Sequence, residues 1–351
     1  MNVYHPGIFR LIIGIAAFIC LVFPLGTDAG IWKSYHISGR TMGTFYNITV
    51  VSRKKIDARL LKNRIDVKLK MISRQMSVFN PQSEISRFNR ADKNEWVHVS
   101  EDFSRVVKKA KQIYRLTGGS WDGTVKPLLG LWHFGPGSEP GPIPGRKSIA
   151  RMLKRTGFDK VELSGKRLKK KSAGIELDLG SIAKGFGVDA VSGLMESFGY
   201  TRYLVEIGGE VFTSGRNAQG EKWKIGISDP SGNSAGSPPY RIVPISNGAL
   251  ATSGTYRNFF RINGQTFSHI IDPKTGYPVD NRVVSASVAA KDCTSADGLA
   301  TALMVMDIRK GLDLVNRLDH TESMILKKDS NGELVPFYSA GFESIISKRT
   351  D

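Results

Sequence analysis

The chain has 351 residues, a formal net charge of +18 and ordinary apolar and charged fractions, which excludes a long disordered chain and allows one large or two smaller packed cores. The positive excess attracts anions such as phosphates, nucleic acid, acidic proteins or an anionic membrane, without choosing among them. Only two cysteines are present, Cys20 and Cys293.

Residues 11–26, LIIGIAAFICLVFPLG, form an unbroken apolar run preceded by His5 and Arg10. The run is short for a spanning helix but suits an export signal, and Thr27 and Ala29 occupy the small-residue positions of a cleavage site. Residues 1–29 are therefore expected to be a signal peptide cut after Ala29, or an uncut membrane anchor, and the remainder, 30–351, the functional domain. Export places the protein in the periplasm, or on the inner membrane if the anchor stays. It also counts against a nucleic-acid role. With the segment removed, Cys293 stands alone, so no intrachain disulfide forms.

HISGRTMGTFYNITVV, residues 36–51, reads as strand, tight turn and strand. Leu61, Ile65, Leu69, Ile72 and Met76 then recur at helical spacing. Ser100 is expected to cap a second helix with the stripe Phe103, Val106, Val107, Ala110, Ile113, Tyr114, stopped at Gly118. A Gly/Pro loop follows GGSWDGTVKPLLGLWHFG, and a helix is expected near Ser148 to Thr156. The basic run Lys166–Lys171 reads as a solvated hairpin or loop. IELDL reads as a strand leading into the helix GSIAKGFGVDAVSGLMESFG, and YLVEIGGEVFTSG as a strand broken at Gly208 and Gly209. WKIGISDP, YRIVPISNGALATSG, NFFRINGQTFSHIID and VVSASVAA read as strands of a sheet, before the helix in DCTSADGLATALMVM. The fold class is mixed α/β (α+β), two interlocked lobes with a cleft between them.

Four stretches carry chemistry. Asp297 and Thr301 are four residues apart, on one helix face. They read either as a helix start, with Thr294 or Ser295 as cap and an acid in the first turn, or as oxygen ligands of Mg²⁺. Gly185, Gly187 and Ala190 match a dinucleotide fingerprint, but five residues separate Leu179 from Gly185 where that motif needs a tight turn, and no Walker lysine follows. Asp178 at a strand end with Lys184 near helix N-terminal amides suits a charged diphosphate instead. Trp121 beside Asp122 after a double glycine could stack on and hydrogen-bond a ring system, or be core plus turn. His269 reads as a strand histidine, and Met42 in TMGT as packing.

Taken in order, TMGTFY, MSVFNPQSEISRFN, GGSWDGTVKPLLGLW, ELDLGSIAKGFGVD, IGGE, ATSGTYRNFF, HIIDPKTGYP and ADGLATALMVM resemble the ApbE family of FAD:protein FMN transferases, from about residue 36 to the end. The resemblance implies FAD as substrate, Mg²⁺, and transfer of FMN to a Thr or Ser hydroxyl with release of AMP. The implied acceptors are flavin-carrying subunits of membrane redox pumps or extracytoplasmic electron-transfer proteins. It further implies Asp297, Thr301 and the main-chain oxygen of Ser181 as metal ligands. Flavin and nucleotide contacts would come from Met42, Phe79, Ser120, Trp121, Asp122, Asp178, Lys184 and Ile271, and His269 would be a catalytic base. Phe79 stands where the family commonly has Tyr, Trp121 where Phe or Tyr is usual, and His133 where glycine is common. The Ser181 side chain is expected to matter little. The competing readings are an FAD pyrophosphatase, a non-catalytic flavin-binding protein and, more remotely, a dehydrogenase.

Overall fold

The computed structural model describes residues 31–134, 141–231, 237–255, 259–262 and 265–346. The expected signal or anchor, 1–29, lies outside the described residues. From Trp32 onward the chain forms one compact unit.

Its centre is an eight-stranded sheet: β1 (Lys33–Thr41), β2 (Thr44–Ser52), β3 (Tyr203–Ile207), β4 (Glu210–Ser214), β5 (Gly248–Gly254), β6 (Val283–Ala290), β7 (Glu322–Lys328) and β8 (Leu334–Tyr338). These strands lie side by side in chain order, and every pairing is antiparallel. That topology removes the dehydrogenase reading, because a dinucleotide fold needs a parallel sheet with crossover helices.

Alternation along the strands feeds two cores, as the period-2 pleat requires. Val50, Ala249 and Ile325 face helices α1 (Ala58–Met76), α3 (Gly180–Ser197) and α4 (Cys293–Val305). Their neighbours Val51, Leu250 and Met324 face the opposite side, covered by the hairpin Trp223–Ile227/Arg241–Ile245 and by Phe342. A further core surrounds α2 (Glu101–Leu116), with Phe103, Ile113, Trp121, Phe158 and Leu179. Met42 packs against both helix-side cores.

Asp57 and Ser100 cap α1 and α2 with their side chains, and Gly118 takes the left-handed conformation beyond α2. The Lys166–Lys171 run contributes the strand Arg167–Lys170 of a small hairpin. The helix expected near Ser148 spans Arg146–Leu153.

Four expectations are corrected. Residues 175–179 alternate buried and open but join no ladder. The side-chain amide of Asn89 takes the place of a partner strand, donating to Leu177 O at 2.9 Å and accepting from Leu177 N at 2.7 Å. Of the strands read between Trp223 and Ala290, only β5 and β6 join the large sheet. Phe259–Ile262 pairs with Gln265–Ser268 alone, and Arg241–Ile245, which carries Pro244, pairs with Trp223–Ile227 alone. His269 lies in a bend just past Ser268, not in a strand, and Ser268 Oγ there accepts from Ile270 N at 3.1 Å. Neither Thr294 nor Ser295 caps α4. Asp292 does, accepting from Ser295 N at 2.8 Å, while the Asp189 carboxylate takes the N–H groups of Cys293 and Thr294.

Candidate active site

With Asp292 as cap, Asp297 sits past the first turn of α4 and is not there to serve the helix end. The α3 and α4 backbones meet at Gly185, where a Cβ would stand 2.4 Å from Cys293 O and 2.9 Å from the Asp297 Cβ. The missing side chain lets Gly185 N donate to Asp297 Oδ2 at 3.0 Å. Gly298 allows the same closeness to Ile113 and Ile182. Asp297 is buried, and its carboxyl is held well above the ordinary range, first by burial and then by the negative charge of Glu210, against the pull of Lys184.

Glu210 opens β4, is buried, and forms an ion pair with Lys184 of α3. One turn beyond Asp297, the Thr301 hydroxyl lies 2.9 Å from Ser253 Oγ on β5 and 3.3 Å from the Asp297 carbonyl oxygen. Asp297, Thr301, Ser253, Lys184 and Glu210 thus gather where α3, α4, β4 and β5 converge.

A second group surrounds the N-terminus of α3. Asp178 N donates to Gly123 O at 2.8 Å, and the Asp178 carboxylate accepts from Gly180 N at 2.8 Å. Its pKa is raised, mainly by enclosure within protein, though one edge stays open to solvent. Trp121 Nε1 donates to Ser181 Oγ at 2.9 Å, tying the Gly-rich turn to the first turn of α3. Asp122 is buried, accepts from Thr124 N and Oγ1, and has its pKa pushed up to about 6, chiefly by burial. Ser120 is buried beside them in sequence.

The expected site residues therefore fall into distinct places. Asp297, Thr301 and Lys184 come together. Trp121, Asp122, Asp178 and Ser181 form the neighbouring group, along the first turns of the same helix α3. Met42 holds a left-handed backbone (φ 48°) in the β1–β2 turn, and its Cε lies 3.2 Å from where a Cβ on Gly187 would be. Phe79 is 68% exposed, an open aromatic face, whereas Trp121 is 1% exposed against Phe158, so its ring is core and not a stacking surface. Ile271 is buried in a separate apolar cluster with Leu128 and Trp132. His269 is half-buried. The expectation that the Ser181 side chain matters little is also corrected, since its hydroxyl holds the buried indole N–H.

Three contributors carried no assignment from the sequence: Glu210, Ser253 and Asp189. Glu210 had a signal, being an acid directly after a double glycine in a hairpin. Ser253 and Asp189 looked like any strand serine and helix aspartate.

Among the described residues no three His, Cys, Asp or Glu side chains cluster as a ready-made metal centre. Asp297 and Thr301 bring together one buried carboxylate and a hydroxyl. That set suits Mg²⁺, which takes few protein oxygens and completes its shell with water and substrate phosphates.

The ApbE family model matches residues 42–325. An FAD:protein FMN transferase of Vibrio cholerae is 40% identical over 317 residues, 90% of this chain and 94% of that protein. A protein of the same name from Haemophilus influenzae is 34% identical over 92% of this chain and 94% of its own length. The solved flavin transferase ApbE from Vibrio cholerae superposes with a TM-score of 0.80 at 37% identity, covering 90% of this chain and 99% of that one. With its motifs in order and about nine-tenths of its length aligned to these relatives, the chain belongs to the ApbE family.

Proposed function

We propose that this chain transfers FMN from FAD to a serine or threonine hydroxyl of an acceptor protein, with Mg²⁺ as the resident metal. The hydroxyl oxygen bonds to the phosphorus on the FMN side of the pyrophosphate, the P–O bond to the AMP phosphate breaks, and AMP leaves with that electron pair. Phosphoryl transfer of this kind asks the protein for position and charge, not for a covalent intermediate.

The carrying observation is the buried Asp297, held by Gly185 N and placed one turn from the Thr301 hydroxyl. Asp297, Thr301 and the carbonyl of Ser181 would hold the metal, which when bound neutralises and polarises the diphosphate. Lys184, set in its ion pair with Glu210, offers positive charge to the leaving phosphate. The positive end of the α3 dipole favours an anion near it, with Gly180 N itself taken by the Asp178 carboxylate. The exposed Phe79 offers a stacking face for the isoalloxazine. His269 accepts the proton of the acceptor hydroxyl, a contribution of about 10²- to 10⁴-fold.

The same proposal places the protein in the periplasm, supported by the apolar run 11–26 and the small residues Thr27 and Ala29. The acceptor is then a flavin-carrying redox subunit exposed on that side of the membrane. Mass spectrometry of such a carrier after incubation with this protein, FAD and Mg²⁺ tests the proposal. An added FMN phosphoester on Ser or Thr supports it, whereas release of FMN and AMP with the carrier unmodified identifies a pyrophosphatase.

A further inference from the structure

The folded unit begins at Trp32, and two guanidinium groups lie over the ring of that residue. Arg202 Cζ is 3.8 Å from the ring centroid and Arg53 Cζ is 4.7 Å from it. The other edge of Trp32 packs against the core that contains Val51, Val211 and Leu250. The antiparallel register pairs Lys33 with Ser52, so the exposed run Arg53, Lys54, Lys55 leaves β2 beside Lys33. Two guanidinium groups thus lie against one half-buried indole, and Lys33, Lys54 and Lys55 are exposed close by along the chain.

Their pairing distinguishes this face from the other basic run. Among the described residues, none of Lys33, Arg53, Lys54, Lys55 or Arg202 enters an ion pair. In the Lys166–Lys171 hairpin, by contrast, Lys166 pairs with Glu101 and Lys169 with Glu162. The acid closest in sequence to the Arg53 run, Asp57, is engaged in capping α1. The cations around Trp32 are left for an outside anion.

The sequence indicates which anion. The apolar run ends at Gly26, six residues before Trp32. Six residues reach at most about 20 Å, little more than twice the roughly 8 Å over which charge acts in physiological salt. A bilayer engaged by residues 11–26 would lie within that reach of Trp32. Tryptophan with flanking Lys and Arg is the side-chain chemistry that settles at a membrane–water boundary. We infer that the Trp32–Arg53–Arg202 face is a docking surface for the anionic phospholipid headgroups of a membrane.

The four buried clusters lie between Ile37 and Phe342, so a chain beginning at Gly30 keeps the whole folded unit and can be tested without the apolar run. It is to be sedimented with vesicles of phosphatidylcholine, with and without about one-third phosphatidylglycerol, in low and high salt. Binding is expected only with phosphatidylglycerol and in low salt. Lys33→Glu/Lys54→Glu/Lys55→Glu, all at exposed positions, is expected to weaken it by roughly a hundredfold with an unchanged melting temperature. Brominated lipid is expected to quench part of the tryptophan emission in the wild type, and that part is to disappear in Trp32→Phe. Lys166→Glu/Arg167→Glu, in the other basic run, serves as control. Equal weakening by both charge reversals would show attraction by net charge alone and overturn the inference, as would no binding to phosphatidylglycerol or equal binding to phosphatidylcholine.

Discussion

The indole N–H of Trp121 donates to the hydroxyl of Ser181 across 2.9 Å, joining the Gly-rich turn after α2 to the first turn of α3. The ring itself is buried against Phe158. The bond therefore fixes where the α3 N-terminus sits relative to the core. Ser181→Ala leaves a buried donor without its acceptor and is expected to cost about 1–2 kcal/mol. Urea unfolding of the variant beside Trp121→Phe and the double variant checks this. Non-additive losses identify the pair, and strictly additive losses refute it.

Asp297→Asn keeps an oxygen for Gly185 N and removes the charge. Folding is expected to persist, because burial already disfavours the ionised form. Transfer activity is expected to fall at least about a hundredfold, and the response to added Mg²⁺ to disappear. Turnover against metal concentration, with circular dichroism on the same sample, measures both. Near-native activity would remove Asp297 from the site.

Gly185→Ala drives a methyl group into Cys293 O, and backbone on that side has no rotamer to yield. A loss of at least about 2 kcal/mol is expected. Gly193→Ala, on the same helix with nothing within 4 Å, is expected to gain up to about 1 kcal/mol. Thermal melts of the two variants, one falling and one rising, separate close helix contact from helix propensity.

Asp122 supplies a pH dependence whose sign is set by its burial. The folded state raises its pKa from the usual 3.8 to about 6, so the fold binds the proton more tightly than the unfolded chain does. That contribution is fully present below about pH 3.8 and is lost as pH rises through 6. Relative to Asp122→Asn, the wild type should therefore gain stability from pH 7 down to pH 4, on the order of a few kcal/mol. Urea midpoints across that range give the difference, and a gap that stays constant with pH refutes the assignment.

His269→Ala is expected to slow transfer by about 10²- to 10⁴-fold while FAD affinity changes much less. Single-turnover rates and FAD titration, run separately, distinguish the two effects. Equal losses in both would recast His269 as a binding residue.

Much of this protein was determined by its sequence alone. The helical spacing of Leu61 to Met76, the Ser100 cap, the Gly208–Gly209 break and the order of eight motifs report local periodicity, turn chemistry and family, each written in contiguous residues. Asp297 and Thr301 share a face because helix geometry places residues four apart together. Only the tertiary structure decided which strands share the large sheet, since alternation gives a strand its faces but not its neighbour. It also decided that Asn89 replaces a strand beside Leu177, that Asp292 and Asp189 serve the α4 N-terminus, and that Trp121 is core. Glu210 reaches Lys184 and the neighbourhood of Asp297 from far along the chain. Their coupling depends on distance and burial in three dimensions, which no local pattern encodes.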